Sequence, residues 1–141
     1  EMQLFVNLER PLSKKKFVEP EMLNAKDFWL LEAGHCLRDE IIKFCHLKKT
    51  SPSQFGLLDL KIGSLESLRY LIAENNGYTL LPYLSTLKLS KDEQRHLRKF
   101  KKSIPFRTVN ITTRHKYLKR AAVEAVAESI SGSLPKEINK F

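Results

Sequence analysis

Short apolar segments alternate with amphipathic helical segments along most of this chain, and this order restricts the folds that it can adopt. Apolar or alternating runs predict strand-like segments at residues 2–8, 28–31, 55–62 and 78–81. Helical spacing of apolar residues predicts helices at residues 36–48 and 64–75, and Ser64 provides an N-cap for the second. Strands and helices in alternation are typical of a parallel sheet covered by helices. The sequence therefore predicts an α/β fold with a parallel sheet.

The last third of the chain predicts one more strand and one long helix. Residues 107–113 alternate polar with apolar side chains, as a half-buried strand does. A helix at about residues 116–131 places one set of apolar residues on a common face, namely Leu118, Ala121, Ala122, Ala125, Val126 and Ile130. We expect that face of the helix to be buried.

The composition is that of a globular protein. A hydrophobic fraction of 42% over 141 residues is enough for a core. The sequence contains no run of 18 apolar residues, and its first residues lack the basic, apolar and small-residue order of a signal peptide. We therefore expect a cytoplasmic protein without membrane contact. Two cysteines are too few for a disulfide scaffold, so both are expected to rest as thiols in that reducing compartment.

The positive charge of the chain is local. The formal net charge is +9, and residues 88–120 contain twelve Lys or Arg against only two acidic residues. A basic stripe can follow nucleic-acid phosphates. However, this segment contains no helix-turn-helix, zinc-finger or RNP-like pattern. We therefore favour a solvated or subunit-facing surface, with a DNA site as the alternative.

The two cysteines, Cys36 and Cys45, are nine residues apart and belong to one predicted helix. Nine residues of helix correspond to a rise of about 13 Å and a rotation of about half a turn. A disulfide requires Cα atoms roughly 4.4 to 6.8 Å apart. The two thiols therefore cannot bond unless the helix breaks, and a disulfide between them would act as a conformational switch.

Cys36 has the surroundings of a reactive thiol. It stands at the predicted start of the helix, where backbone N–H groups favour an anion, and it is flanked by His35 and Arg38. The thiolate is the nucleophilic form, and an ordinary cysteine is only a few per cent ionised near neutral pH. The alternative interpretation is that both cysteines are small buried hydrophobes, which fits the apolar setting of Cys45 best. A metal site formed with His46 matches no structural zinc spacing, so we expect no metal and no cofactor.

Five motifs, in this order along the chain, carry a resemblance to a known family: Gly34-His35-Cys36-Leu37-Arg38-Asp39, Phe44-Cys45, Gly63-Ser64-Leu65-Glu66-Ser67-Leu68, Asn76-Gly77-Tyr78-Thr79-Leu80-Leu81-Pro82 and Pro105-Phe106-Arg107-Thr108. Together they resemble the hydrogen-peroxide sensors among the LysR-type transcriptional regulators. The third and fourth motifs are shared across the effector domains of that family. The first motif, with a second cysteine nine residues later, is typical of the peroxide sensors.

The resemblance implies a fold and a division into domains. The fold is the α/β, periplasmic-binding-protein-like LysR effector domain, here lacking most of its first subdomain. Residues 1–104 are expected to form the second regulatory subdomain, which holds the redox cysteines. Residues 105–141 are expected to form the return strand and the C-terminal helix, which pack on the mostly absent first subdomain.

The resemblance also implies the chemistry. Hydrogen peroxide oxidises Cys36, the peroxidatic residue, and Cys45, the resolving residue, then forms a reversible disulfide with it. His35, Arg38 and Arg107 are the implied peroxide-binding residues. A further hydroxyl-bearing residue of that pocket is expected in the half that this chain lacks. The disulfide would change the conformation and so control transcription, without making the protein an enzyme.

The implied partners follow from the same resemblance. They are a second copy in a homodimer or tetramer, DNA through an N-terminal domain that this chain lacks, RNA polymerase, and a thiol reductant such as glutaredoxin or thioredoxin. Two other functions remain open. One is a small-molecule effector domain of a LysR-type regulator, in which the cysteines are incidental, and the other is a thiol peroxidase.

Overall fold

The computed structural model describes residues 1–46, 62–114, 119–135 and 138. It divides into two compact units, Glu1–Arg107 and Thr108–Phe141. The predicted strand at residues 55–62 falls outside the described residues except for Ile62, which is buried. No helix in the described ranges is long and apolar enough to cross a membrane. The expected functional division at residue 104 stays a prediction.

A four-stranded mixed sheet forms the centre of the first unit. Its strands lie in the order β2, β4, β1, β3. Their bounds are Met2–Val6 for β1, Phe17–Val18 for β2, Tyr78–Pro82 for β3 and Leu97–Phe100 for β4. Strand β1 runs antiparallel to both β3 and β4, and only β2 and β4 pair in parallel. The expectation of a parallel sheet is therefore wrong for two of the three strand pairs.

A run of apolar residues indicates that both faces of a strand are buried. It does not determine whether the strand runs parallel or antiparallel to its neighbours. An alternating pattern at residues 2–8 predicts that one face of the strand is buried. All five residues of β1 are in fact buried. The predicted apolar run at residues 28–31 is buried too, but it joins the sheet only through one parallel bridge between Phe28 and Tyr78. The partners of β1 are instead β3 and β4, which come later in the chain and run antiparallel to it.

Helices cover the sheet within the first unit. Their bounds are Cys36–Phe44 for α1, Leu65–Glu74 for α2, Tyr83–Thr86 for α3 and Lys91–Gln94 for α4. The predicted N-cap of α2 is confirmed, because the hydroxyl oxygen of Ser64 accepts a hydrogen bond from Ser67 N at 3.1 Å. Helix α1 begins where predicted and ends at Phe44, earlier than predicted. Residues 47 and 48 of the predicted helix lie outside the described part of the chain.

The core of the first unit lies between these helices and the sheet. Helix α2 packs on β1 and β3 with its buried residues Leu68 and Ile72. Asn7, which follows β1, donates through its amide nitrogen to the carbonyl oxygens of Ile72, at 3.1 Å, and Ala73, at 2.9 Å. Helix α1 contributes Leu37, Ile41 and Ile42 to the same buried cluster. One face of α1 is therefore fixed in the core.

The second unit contains one helix, α5, at Arg120–Ser133 among its described residues. The predicted strand at residues 107–113 does not form, and Val109 is 84% exposed. The predicted burial of one helix face is also wrong. All the predicted face residues that the structure describes are exposed, namely Ala121, Ala122, Ala125, Val126 and Ile130, and Leu118 lies outside the described residues.

Both differences have the same physical cause. Alternating polarity makes a segment suited to a strand, but a strand forms only when a neighbouring strand supplies its hydrogen bonds. An amphipathic helix likewise buries its stripe only against another element. Within the described residues, no strand pairs with residues 107–113 and no element buries the stripe of α5.

Candidate functional site

The chain entering α1 places Cys36 at the first helical position. Gly34 has a φ of 99°, a left-handed conformation that favours glycine, and His35 follows as the N-cap residue in extended conformation. Cys36 is exposed and its thiol is free. The first turn of a helix presents unpaired N–H groups and the positive end of the helix dipole. The backbone therefore places Cys36 at the positive end of the dipole of α1.

Arg107 makes the direct contact to this sulfur. Its Nη2 donates to Cys36 Sγ at 2.7 Å, although the two residues are 71 positions apart. Arg107 belongs to the first unit, as Cys36 does. A guanidinium this close keeps N–H donors beside the sulfur and beside any oxygen that reacts there. Of the residues expected at the site, Arg107 is the one whose side chain the structure brings to Cys36.

His35 and Arg38 face the loop that precedes α1. Arg38 Nη1 donates to the carbonyl oxygen of Leu31 at 2.8 Å. His35 Nε2 lies 3.8 Å from Glu32 Oε1, and the ring does not cap the helix. Among the described residues, neither side chain has a contact with Cys36 Sγ. Both side chains thus support the loop that leads into the site, and their role in binding peroxide stays a prediction.

Glu40 is a site residue that the sequence did not indicate. It lies one helical turn after Cys36, and its Oε1 is 3.5 Å from Arg107 Nε. Its other carboxylate oxygen, Oε2, is shielded from solvent and has no hydrogen-bond partner among the described residues. The four-residue spacing between Cys36 and Glu40 could have indicated that both lie on one face of the helix, because residues i and i+4 share a helix face. That spacing alone does not identify Glu40 as a site residue, because it does not show that Arg107 reaches the same helix face.

Cys45 occupies the other end of α1. It is the C-cap residue, and its N–H donates to Ile41 O at 3.0 Å. Its side chain is half-buried against the core beside Phe44, whose ring meets that of Phe100 edge to face at 5.9 Å between centroids. Burial raises the pKa of Cys45 to about 12 from an ordinary value of 9.0. In this conformation Cys45 is a protected thiol, and both cysteines are free.

The two thiols should therefore differ in their reaction with iodoacetamide. Because its raised pKa lowers the thiolate fraction at a given pH, Cys45 should react roughly two to three orders of magnitude more slowly than an ordinary thiol at pH 8. Cys36, which is exposed, should react first at this pH. Peptide mass spectrometry of briefly alkylated protein measures both rates, with urea-unfolded protein as the control. Equal rates in the folded protein would contradict the protection of Cys45.

The site is suited to nucleophilic chemistry on a small polar molecule. It combines an accessible sulfur, a cationic donor in contact with it and the N-terminus of a helix. Such donors stabilise an oxyanion that leaves during attack by a thiolate. In the part of the chain that the structure describes, no three His, Cys, Asp or Glu side chains converge as metal ligands would.

Several known proteins of similar sequence or structure are named as OxyR or as hydrogen peroxide-inducible genes activators. The chain is 28% identical over 139 residues to the DNA-binding transcriptional dual regulator OxyR of Escherichia coli K12, covering 99% of this chain and 44% of that protein. It is 30% identical to a hydrogen peroxide-inducible genes activator of Pectobacterium carotovorum, over 92% of this chain and 41% of that protein. Reduced OxyR from Porphyromonas gingivalis superposes with a TM-score of 0.80 and 26% identity, covering 100% of this chain and 62% of that structure.

The chain spans less than half the length of these curated relatives. The likeness to the OxyR structure confirms the expected α/β fold of the LysR effector domain, represented here in part. The sequence profile of the LysR substrate binding domain matches residues 1–134, which is nearly the whole chain. The expected resemblance is thus confirmed, and the chain belongs to the LysR substrate binding domain family.

Proposed function

We propose that this chain is the redox-sensing part of a LysR-type transcriptional regulator that responds to hydrogen peroxide. The single observation that supports this most strongly is the 2.7 Å contact between Arg107 Nη2 and Cys36 Sγ at the start of α1. An exposed thiolate beside a guanidinium has both the nucleophile and the donor that cleavage of a peroxide bond requires. The names of the relatives support the same substrate.

In the first step the Cys36 thiolate attacks one peroxide oxygen. An S–O bond forms as the O–O bond breaks, and the other oxygen leaves with the bonding electron pair as hydroxide. Cys36 becomes a sulfenic acid and the peroxide is reduced. Arg107 stabilises the leaving anion, because its guanidinium already lies beside the sulfur. The hydroxide is then protonated by solvent.

In the second step Cys45 resolves the sulfenic acid. Its sulfur forms a bond with the Cys36 sulfur, and the sulfenic oxygen leaves as water with the Cys45 proton. The two residues flank α1, at its first position and directly after its last. The intact helix therefore prevents this step, and α1 must unwind. A dithiol reductant such as glutaredoxin or thioredoxin would restore both thiols and become a disulfide itself.

The sulfenic acid is the intermediate that tests this proposal. In a Cys45→Ser variant, a brief pulse of equimolar peroxide should leave Cys36 as a sulfenic acid that dimedone traps. Peptide mass spectrometry should find the dimedone adduct on the peptide that contains Cys36. Protein without peroxide is the control. An unmodified Cys36 after complete consumption of peroxide would contradict the proposed chemistry.

The remaining parts of the proposal concern the regulator as a whole. We propose that it is a cytoplasmic homodimer or homotetramer, and that unwinding of α1 changes how its subunits contact one another. Such a change would respace DNA-binding domains that lie elsewhere in the protein and alter their contact with RNA polymerase. The similarity to a DNA-binding regulator that is more than twice as long supports this arrangement.

This polypeptide alone should not bind DNA sequence-specifically. Among the described residues, its basic surplus at residues 88–120 lies in α4, β4, the first residue of α5 and connecting segments, and none of these is a recognition helix. Gel-shift titration with specific and competitor DNA should show only salt-sensitive, sequence-independent binding. A high-affinity, sequence-selective complex at physiological salt would contradict this prediction.

A small-molecule effector function is the second candidate, because the matching family is named for substrate binding. It predicts ligand-dependent thermal stabilisation that persists in a Cys36→Ser/Cys45→Ser double variant. Our proposal instead predicts that the response to peroxide disappears in that variant. A thiol peroxidase, the third alternative, would consume peroxide catalytically rather than once per protein when supplied with reductant.

A further inference from the structure

We propose that Glu40 is a positioning residue, which holds the Arg107 guanidinium in place so that its Nη2 faces Cys36 Sγ. This inference rests on the proposed function, because it assigns how the reactive contact is maintained. Glu40 does not contact the sulfur in the structure. Its effect on the reaction of Cys36 would be exerted through Arg107.

The geometry places Arg107 between two groups of one helix. Its Nη2 contacts Cys36 Sγ at 2.7 Å, and its Nε lies 3.5 Å from Glu40 Oε1. Both partners are one turn apart on α1, which is anchored in the core by Leu37 and Ile41. Two anchor points on a rigid helix restrict rotation of the planar guanidinium better than one contact does.

Partial burial makes this ion pair stronger than an ordinary surface pair. The side chains of Glu40 and Arg107 are only 34% and 33% exposed. Glu40 Oε2 is shielded from solvent without a donor among the described residues, so water does not stabilise that oxygen. Arg107 is the cationic partner that compensates for this loss of solvation. A charged contact under these conditions restrains both side chains.

The pair also has a consequence for the reaction cycle. Cys36 loses its negative charge when it becomes a sulfenic acid, and Arg107 then loses one of its two partners. The contact with Glu40 would keep the guanidinium at the N-terminal turn of α1 while the leaving hydroxide departs, before α1 unwinds.

The kinetic test compares Glu40→Ala with Glu40→Gln. Alanine removes the anchor, whereas glutamine keeps a side chain of the same size with an oxygen in the position of Glu40 Oε1, near Arg107 Nε. The second-order rate constant of Cys36 oxidation by peroxide should fall about 10-fold in Glu40→Ala, less than the loss expected for removing the donor itself, and Glu40→Gln should restore most of it. Glu74→Ala is the matched control, because Glu74 is an exposed helical carboxylate without an ion pair among the described residues. Thermal melting verifies that each variant folds.

A double-variant comparison distinguishes positioning from a merely structural role. If Glu40 acts through Arg107, adding Glu40→Ala to Arg107→Ala should change the rate less than about twofold beyond Arg107→Ala alone. A Glu40→Ala loss that is equally large in the Arg107→Ala background would overturn the proposal. A wild-type rate in Glu40→Ala would overturn it as well.

A nuclear magnetic resonance measurement keeps this inference separate from the proposed function. The Nε–H signal of Arg107, assigned by its loss in Arg107→Lys, should be protected from exchange in the wild type and in Glu40→Gln, and broadened in Glu40→Ala. This readout needs no peroxide. If peroxide fails to oxidise the wild type, the proposed function fails, while the Nε–H signal still decides whether Glu40 restrains Arg107. Unchanged protection in Glu40→Ala would overturn the inference.

Discussion

Cys36→Ser should abolish the response of this chain to hydrogen peroxide. Only Cys36 combines exposure, a helix N-terminus and a guanidinium in contact with its sulfur. Cys45 cannot replace it, because burial raises the pKa of Cys45 to about 12 and leaves almost no thiolate near neutral pH. Removing Cys36 should therefore lower the rate of thiol loss under stoichiometric peroxide by more than about 100-fold.

The measurement is a thiol count by mass spectrometry at intervals after the peroxide pulse. Cys45→Ser is the matched control, since it removes the other cysteine and leaves the reactive one. That variant should consume peroxide at the wild-type rate and accumulate sulfenic acid in place of the disulfide. If Cys36→Ser loses its remaining thiol as fast as the wild type loses its first, Cys36 is not the peroxidatic residue.

Oxidation should unwind α1, and this is the second large effect. The helix holds Cys36 and Cys45 at its two ends, and a disulfide requires their Cα atoms within roughly 7 Å. The amides from Glu40 to Cys45 are the informative ones, because the first turn of a helix has no intrahelical acceptors. Their protection from hydrogen exchange should fall at least about 10-fold when the disulfide forms.

The free-energy cost of unwinding α1 is small enough for disulfide formation to offset it, so we expect the switch to be reversible. Withdrawing the half-buried Phe44 and Cys45 from the core, where Phe44 packs against Phe100, costs about 1–4 kcal/mol, by comparison with large-to-small core substitutions. Formation of the disulfide offsets that cost, and its reduction lets α1 refold. Amides of α2, which packs on β1 and β3, should keep their protection and serve as the internal control. Equal protection of α1 in reduced and disulfide-bonded protein would refute the switch.

The start of α1 could be predicted from the sequence because local signals determine it. Glycine and a helical run of apolar residues after His35 indicate the helix start, and the structure has Gly34 at a φ of 99° and Cys36 as the first helical residue. The N-cap of α2 was readable for the same reason, since the Ser64 side chain accepts a hydrogen bond from the backbone of Ser67, three residues later. Local chemistry therefore accounts for how Cys36 is presented.

The partners of Cys36 could not be read from local patterns. Arg107 lies 71 positions away and was expected only through the family resemblance. Glu40 becomes significant only when Arg107 is known to reach its helix face. The direction of the strands and the exposure of residues 107–113 depend on which element lies beside each segment, and alternation of polarity carries no information about that neighbour.

Peptide mapping after a stoichiometric peroxide pulse tests the central claim most directly. The wild-type protein is oxidised, its remaining thiols are blocked under denaturing conditions, and proteolytic peptides are compared with and without reductant. Our account predicts a reductant-sensitive link between Cys36 and Cys45 within one chain, complete at about one peroxide per protein. Peroxide-treated protein in which both cysteines remain alkylatable thiols, or in which Cys36 is oxidised without ever bonding to Cys45, would contradict it.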